Sequence, residues 1–350
     1  MHMRALVVEK PEKAAVKEVP VPEISDDEVL IQVKYTGVCG TDWSIFTGKY
    51  SADRLPMIPG HEFSGVVARL GKRAEGLKEG DRVTADINMS CGNCFYCKRG
   101  LKLMCPDFTQ LGIHMDGSYA EYVKAPWDQV HKLPDSIDFL HGACIEPLSC
   151  VIHSAKTMKV DMGSSVAILG SKLGILHAAV AQVRGAAPII LLGRNEKRLN
   201  MAKKLGADFS INVNEVEDPV EEVKKLTEGR GADYVIEAVG IPETYEQAFA
   251  MVRPGGVLAA FGITGVEDSM RIAPVDIVIG ERTITGSCAG FGNDWNDAIA
   301  LLQYRRIKPA LLFSMVIPLE ELEQTFYEMQ TNHDITKVFV SPSATKRELF

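Results

Sequence analysis

No stretch of this chain approaches the roughly eighteen consecutive apolar residues of a membrane-spanning helix, so no membrane span is expected. The opening Met1-His2-Met3-Arg4 runs straight into an apolar, strand-like segment. It lacks the charged, apolar and small-residue sections of a signal peptide, and the protein is expected in the cytoplasm. Basic residues are also short: 38 Lys and Arg against 46 Asp and Glu leave a formal charge of −8, with no basic stripe to offset it. Nucleic-acid binding, which draws on Lys and Arg neutralising phosphates, is therefore disfavoured. Internal repeats and low-complexity tracts are missing too.

What is present is length and an ordinary globular composition, 46% hydrophobic and 24% charged. A chain of 350 residues exceeds what one core usually serves, so two domains are expected, one split by the other. From Met3 to about Lys124, short apolar runs at residues 4–8, 28–33 and 65–68 are separated by Gly, Pro and Asp, which reads as a small β-rich domain.

From about Gly163 the texture changes. Strand-like runs at 165–169, 188–192, 233–237 and 256–260 alternate with helical patterns, the signature of βαβ units on a parallel sheet. One helix places Leu173, Leu176, Val180 and Val183 on one face; another, from Glu196 to Leu205, stops at Gly206 as a left-handed cap. A later helix near residues 295–304 and a strand near 337–340 suit a tail that returns to the first domain. The expected fold is α/β: a β-rich domain over 1–150 and 288–350, and a doubly wound parallel-sheet domain over 151–287.

Four of the eight cysteines, Cys91, Cys94, Cys97 and Cys105, form C-x2-C-x2-C-x7-C, a loop in which four thiolates can close around one tetrahedral Zn2+. An iron-sulfur motif starts alike, but its fourth cysteine follows after only three residues. With four protein thiolates no coordination position stays open, so this metal is expected to stabilise a loop. Elsewhere stand Cys39-Gly40-Thr41-Asp42, Gly60-His61-Glu62 and Glu146-Pro147-Leu148. Cys39, His61 and one carboxylate, Glu62 or Glu146, would make a three-ligand zinc site with its fourth position open to substrate.

A strand leads through Gly170-Ser171-Lys172-Leu173-Gly174 into a helix, where a pyrophosphate can sit on the helix N-terminus. The turn is one residue shorter than G-x-G-x-x-G and carries Ser171-Lys172 where close backbone approach usually demands glycine. After the second strand comes Gly193-Arg194-Asn195, with Arg198 a turn further on. Gly193 lacks the carboxylate that binds ribose hydroxyls in NAD sites, and Arg194 and Arg198 can pair with a 2′-phosphate, so NADP is favoured over NAD.

Residues 37–42 (Gly-Val-Cys-Gly-Thr-Asp), 59–62 (Pro-Gly-His-Glu), the cysteine quartet, 116–122 (Asp-Gly-Ser-Tyr-Ala-Glu-Tyr) and 146–149 (Glu-Pro-Leu-Ser) together resemble the zinc-containing medium-chain dehydrogenases/reductases, sorbitol and threonine dehydrogenase branch. The resemblance covers essentially the whole chain. It implies a GroES-like catalytic domain interrupted by a Rossmann domain, a homo-oligomer, and a secondary alcohol, polyol or carbonyl substrate. It also implies Cys39 and His61 as catalytic zinc ligands, Asp42 as the acceptor that orients His61, and Thr41 as the hydroxyl on the substrate oxygen. Many relatives end the proton relay with a histidine where this chain has Ser44. Trp43, Phe46, Tyr50, Ile113 and Phe291 are candidate pocket residues. Two rival readings are a simple alcohol dehydrogenase or aldehyde reductase, and a nucleotide-binding regulator without catalysis.

Overall fold

Apolar runs bounded by glycine become parallel strands in the computed structural model, which describes residues 1–350. Val166–Leu169 lies inside a six-stranded sheet, with Ile189–Gly193 and then Phe209–Asn212 on one side, and Ala232–Glu237, Val252–Ala260 and Thr283–Gly286 on the other. Every pairing is parallel. The order reverses beside Val166–Leu169, the switch point of a doubly wound sheet. Ala167, Ile168, Ile190 and Leu191 have no exposed surface, as strands covered on both faces require.

The helix after the first of these strands, Gly174–Val183, is not the one-faced helix that the periodicity predicts. Residues 174–181 are all buried, whereas Val183 is 41% exposed. Ala178, Ala179 and Ala181 let neighbours close in where longer polar side chains would have kept a wet face. Glu196–Lys204 begins at Asn195, whose side chain accepts the Arg198 amide at 3.0 Å, and is followed by Gly206 at φ +118°.

The chain divides into two units: Met1–Pro147 with Phe291–Tyr304 and Leu312–Phe350, and Leu148–Gly290 with Arg305–Leu311. No linker marks the first crossing, because the helix Ile145–Met158 runs straight through it. In the first unit an eight-stranded sheet runs Glu348–Leu349, Phe313–Ile317, Lys337–Val340, Glu28–Gly37, Glu62–Leu70, Arg82–Ala85 and Val130–Lys132, with Tyr122–Pro126 also on Glu28–Gly37. The returning strand Lys337–Val340 sets Phe339 opposite Gly37 and Val340 opposite Thr36. Its cores absorb several residues expected in a pocket. Phe46 and Ile113 are buried in them, and Trp43 packs edge-on against Phe326 and Tyr327. No helix is long and apolar enough to cross a membrane.

Because Ile168 is fully buried mid-strand, Ile168→Ala should cost about 2–5 kcal/mol in denaturant unfolding. Val183→Ala, at the exposed helix end, should stay within about 0.5 kcal/mol of the parent.

Candidate functional site

Cys39 sits in extended backbone between the strand Glu28–Gly37 and the helix Gly40–Phe46. Gly37 pairs with Glu62 across the sheet, which brings His61 and Glu62 beside it. Cys39 Sγ, a His61 ring nitrogen and a Glu62 carboxylate oxygen lie within 4.8 Å of one another, with His61 and Glu62 buried. Glu146 is not part of this group; it is buried in the first turn of Ile145–Met158.

Asp42, without exposed surface, orients the trio. Its Oδ2 accepts the Cys39 amide at 2.9 Å and the Tyr119 hydroxyl at 2.7 Å, while Oδ1 faces His61 Nδ1 at 3.3 Å. With Nδ1 turned to a carboxylate, Nε2 is the nitrogen left for a metal. Burial alone would push His61 down, yet Asp42 and Cys39 hold it well above its ordinary value. A pocket that draws a proton onto a buried imidazole in this way suits a cation, so the donors fit zinc.

Glu62 is ion-paired to Lys337, whose ammonium also donates to the Val38 carbonyl at 3.3 Å. Burial opposes the charge on Lys337, but Glu62 beside it keeps its pKa above the ordinary lysine value. A Cβ on Gly37 would stand 2.8 Å from Lys337 Nζ, so a side chain there would displace this pair. Neither Lys337 nor the hydroxyl of Tyr119 was among the expected site residues. Thr41 Oγ1 lies 3.7 Å from Cys39 Sγ. The Ser44 hydroxyl donates instead to the Gly40 carbonyl at 3.3 Å, one turn back along its helix.

Cys91, Cys94, Cys97 and Cys105 also gather, their sulfurs within 4.8 Å of one another and none in a disulfide. Cys91 and Cys105 are 3.5 Å apart and Cys91 and Cys97 4.0 Å, close to the about 3.8 Å between thiolates on a tetrahedral zinc. Crowding splits their acidities. The Ser90 hydroxyl and neighbouring donors bring Cys97 down to about 7; for Cys105 the Cys91 amide lowers the pKa, but burial and the Cys91 and Cys97 sulfurs push it up to about 11. A cation at the centre removes that competition for charge, so the quartet fits a closed zinc site.

In the second unit, Gly170 takes φ +106° and its amide donates to the Leu192 carbonyl at 2.9 Å, tying the glycine turn to the neighbouring strand. Ser171 is buried, Lys172 exposed and Leu173 leads into Gly174 at the helix start. Gly193 ends its strand beside this turn. Arg194 is exposed, but Arg198 is only 6% exposed, so the two do not form one solvated face.

Residues 25–135 match the family model for the alcohol dehydrogenase GroES-like domain, and residues 173–304 that for zinc-binding dehydrogenases. A sorbitol dehydrogenase of Halalkalibacterium halodurans is 34% identical over 94% of this chain and 95% of its own length. The chain belongs to the zinc-binding dehydrogenases of the medium-chain dehydrogenase/reductase superfamily. Within that superfamily it falls in the sorbitol and threonine dehydrogenase-like branch, for an L-threonine 3-dehydrogenase of Bacillus licheniformis is also 34% identical, over 97% of this chain and 99% of its own. Among solved structures, a zinc-binding dehydrogenase of Sinorhizobium meliloti bound to NADP superposes with a TM-score of 0.92 at 31% identity, covering 98% of this chain and all of that one. This zinc-binding dehydrogenase is therefore an oxidoreductase that works with zinc and a nicotinamide cofactor, on the GroES-like and Rossmann architecture.

Two measurements check the metal centres. Cys94→Ser leaves three thiolates, so the purified protein should lose about one zinc per chain and melt at a lower temperature. Asp42→Asn removes the carboxylate that orients His61, and chelator competition should show the metal held by Cys39 and His61 weakened by roughly 10–100-fold, with the quartet's metal unchanged.

Proposed function

We propose that this dehydrogenase interconverts a secondary alcohol, a polyol or a similar hydroxylated compound, with its carbonyl form, and takes NADP(H) in preference to NAD(H). The observation that carries the alcohol chemistry is the buried trio of Cys39, His61 and Glu62 with the Thr41 hydroxyl alongside. Zinc in such a trio supplies a Lewis acid that polarises the substrate oxygen and lowers the cost of taking its proton. Cys39 and His61 are its ligands in this reading, with Glu62 the favoured third and Glu146 the alternative. Thr41 holds the departing proton at its hydroxyl. Asp42 fixes the His61 ring and, through the Cys39 amide, the turn that carries the thiol.

Gly193, Arg194 and Arg198 support the choice of NADP(H), since none of Gly193, Arg194 and Asn195, the residues at the end of the second strand, carries a carboxylate to repel a 2′-phosphate. Gly170, Ser171, Lys172, Leu173 and Gly174 line the pyrophosphate turn in the same reading, and Asn195 starts the helix that carries Arg198. Sorbitol and threonine in the relatives' names both carry a secondary hydroxyl beside further polar groups, which favours a polyol or similar substrate over a simple alcohol or aldehyde. A regulator without catalysis would have no need of a second, open donor trio beside the closed quartet.

The protein is further proposed to act as a homo-oligomer in the cytoplasm. Thr283–Gly286 is an edge strand, and Ile263, Val266, Val275, Val278 and Ile279 expose apolar side chains in the stretch before it. A second copy adding its own edge would cover both. None of the eight cysteines is in a disulfide.

Initial rates on a panel of polyols, amino alcohols and simple secondary alcohols, each with NADP and with NAD, test the substrate and cofactor together. A polyol or amino alcohol should give a higher kcat/KM than the simple secondary alcohols, with NADP ahead. Cys39→Ser should abolish turnover while dinucleotide binding, followed by fluorescence titration, persists. Retained turnover would remove Cys39 from the chemistry.

A further inference from the structure

The shortened glycine turn and the missing carboxylate look like two separate departures in the sequence, but in the structure they touch. Leu169 pairs with Leu192 across the parallel strands, so the residues just past each come side by side. A Cβ built on Gly193 would stand 2.8 Å from both Cβ and Oγ of Ser171, and 3.4 Å from Leu199 Cδ2. Real Cβ atoms do not approach that closely. A hydroxyl can rotate away, but the Ser171 Cβ moves only with its backbone.

That backbone has little room to retreat. The Gly170 amide is bonded to Leu192 on one side, and on the other a Cβ on Gly170 would meet the Ala238 carbonyl at 2.8 Å. Ala238 is held in turn, its amide donating to Leu169. The loop after it is anchored by Glu237, whose carboxylate accepts the Val239 and Gly240 amides at 2.9 and 3.0 Å and the Thr244 hydroxyl at 2.7 Å. Ser171 is thus buried against the end of the second strand, in a turn whose preceding Gly170 abuts a braced loop.

Residue 193 is where a side chain following the second strand of a doubly wound sheet reads the ribose hydroxyls. We infer that the Ser171–Gly193 contact is a specificity determinant of this enzyme: the short turn seats a serine in the volume where an acidic side chain at 193 would begin. The acid is shut out, not merely absent, and a neutral hydroxyl stands in its place. Cofactor choice is then written at two positions, one in the glycine turn and one at the end of the second strand. Changing Gly193→Asp, with or without Arg194→Leu, does not reverse the choice while Ser171 remains. This inference deepens the proposed NADP(H) preference and rests on it for the identity of the cofactor favoured, though not for the contact itself.

A double-mutant cycle tests it on the zinc-loaded, cofactor-free protein. Gly193→Ala adds only the Cβ and should lower the melting temperature; Ser171→Gly combined with it should restore most of the loss. Titrations with NADP and NAD then compare Gly193→Asp with Ser171→Gly/Gly193→Asp. The single variant should bind both dinucleotides more weakly than the parent. The double variant should recover NAD binding by roughly tenfold or more over the single one, the scale of one hydrogen bond to a charged group.

Additive effects on melting, or a Gly193→Asp protein that binds NAD tightly with Ser171 in place, would overturn the inference. Should Gly193→Asp fail to fold, the alanine pair still decides. A parent enzyme that binds NAD as tightly as NADP, with the coupling between positions 171 and 193 intact, would defeat the cofactor preference and leave the contact standing.

Discussion

Asp42 is a carboxylate without exposed surface, and a buried charge persists only where donors surround it. Its partners come from three places in the chain: the Cys39 amide, the Tyr119 hydroxyl and the His61 ring. Each is also held elsewhere, Cys39 at the head of a helix and Tyr119 in the core. Two of these are hydrogen bonds to Oδ2, while the His61 ring faces Oδ1 at 3.3 Å, so the carboxylate stands between the turn that carries the thiol and the imidazole. The trio is thus gathered by the fold itself.

The parts of the fold legible in the sequence were those whose burial is simple. Strands covered on both faces appear as apolar runs, which is why the segments around Ile168, Leu191, Val235 and Leu258 stand out. Phe209–Asn212 and Thr283–Gly286 escaped because they are the two edges of the same sheet and carry exposed residues in place of such a run. The helix bearing Val183 misled because periodicity reports one covered face, whereas its alanines allow cover on several sides.

At the site the same logic divides near from far. Four cysteines within one short loop declare themselves by spacing. That Glu62, and not Glu146, lies beside Cys39 and His61 follows from the register that sets Gly37 opposite Glu62, which no local pattern contains. Lys337 reaches Glu62 across 275 residues of sequence, and the packing of Ser171 on Gly193 depends on two strands being neighbours. Residue types were readable; their adjacency was not. Phe46 and Ile113 show the converse error, since an apolar residue near a metal-binding motif is as easily core as pocket lining.

The pairing of Lys337–Val340 with Glu28–Gly37 sets an order of events during synthesis. The ribosome makes Cys39, His61 and Glu62 early, then the whole inserted parallel-sheet unit, and only afterwards the strand that carries the counter-charge for Glu62. Until that strand emerges, Glu62 has no ammonium beside it and the edge of Glu28–Gly37 near Gly37 is unpaired. The inserted unit, contiguous apart from the short Arg305–Leu311 segment, can collapse first, while the unit that surrounds it waits for its last strands. The cysteine quartet, contained in one loop, is free of that wait and can come together while the chain is still growing.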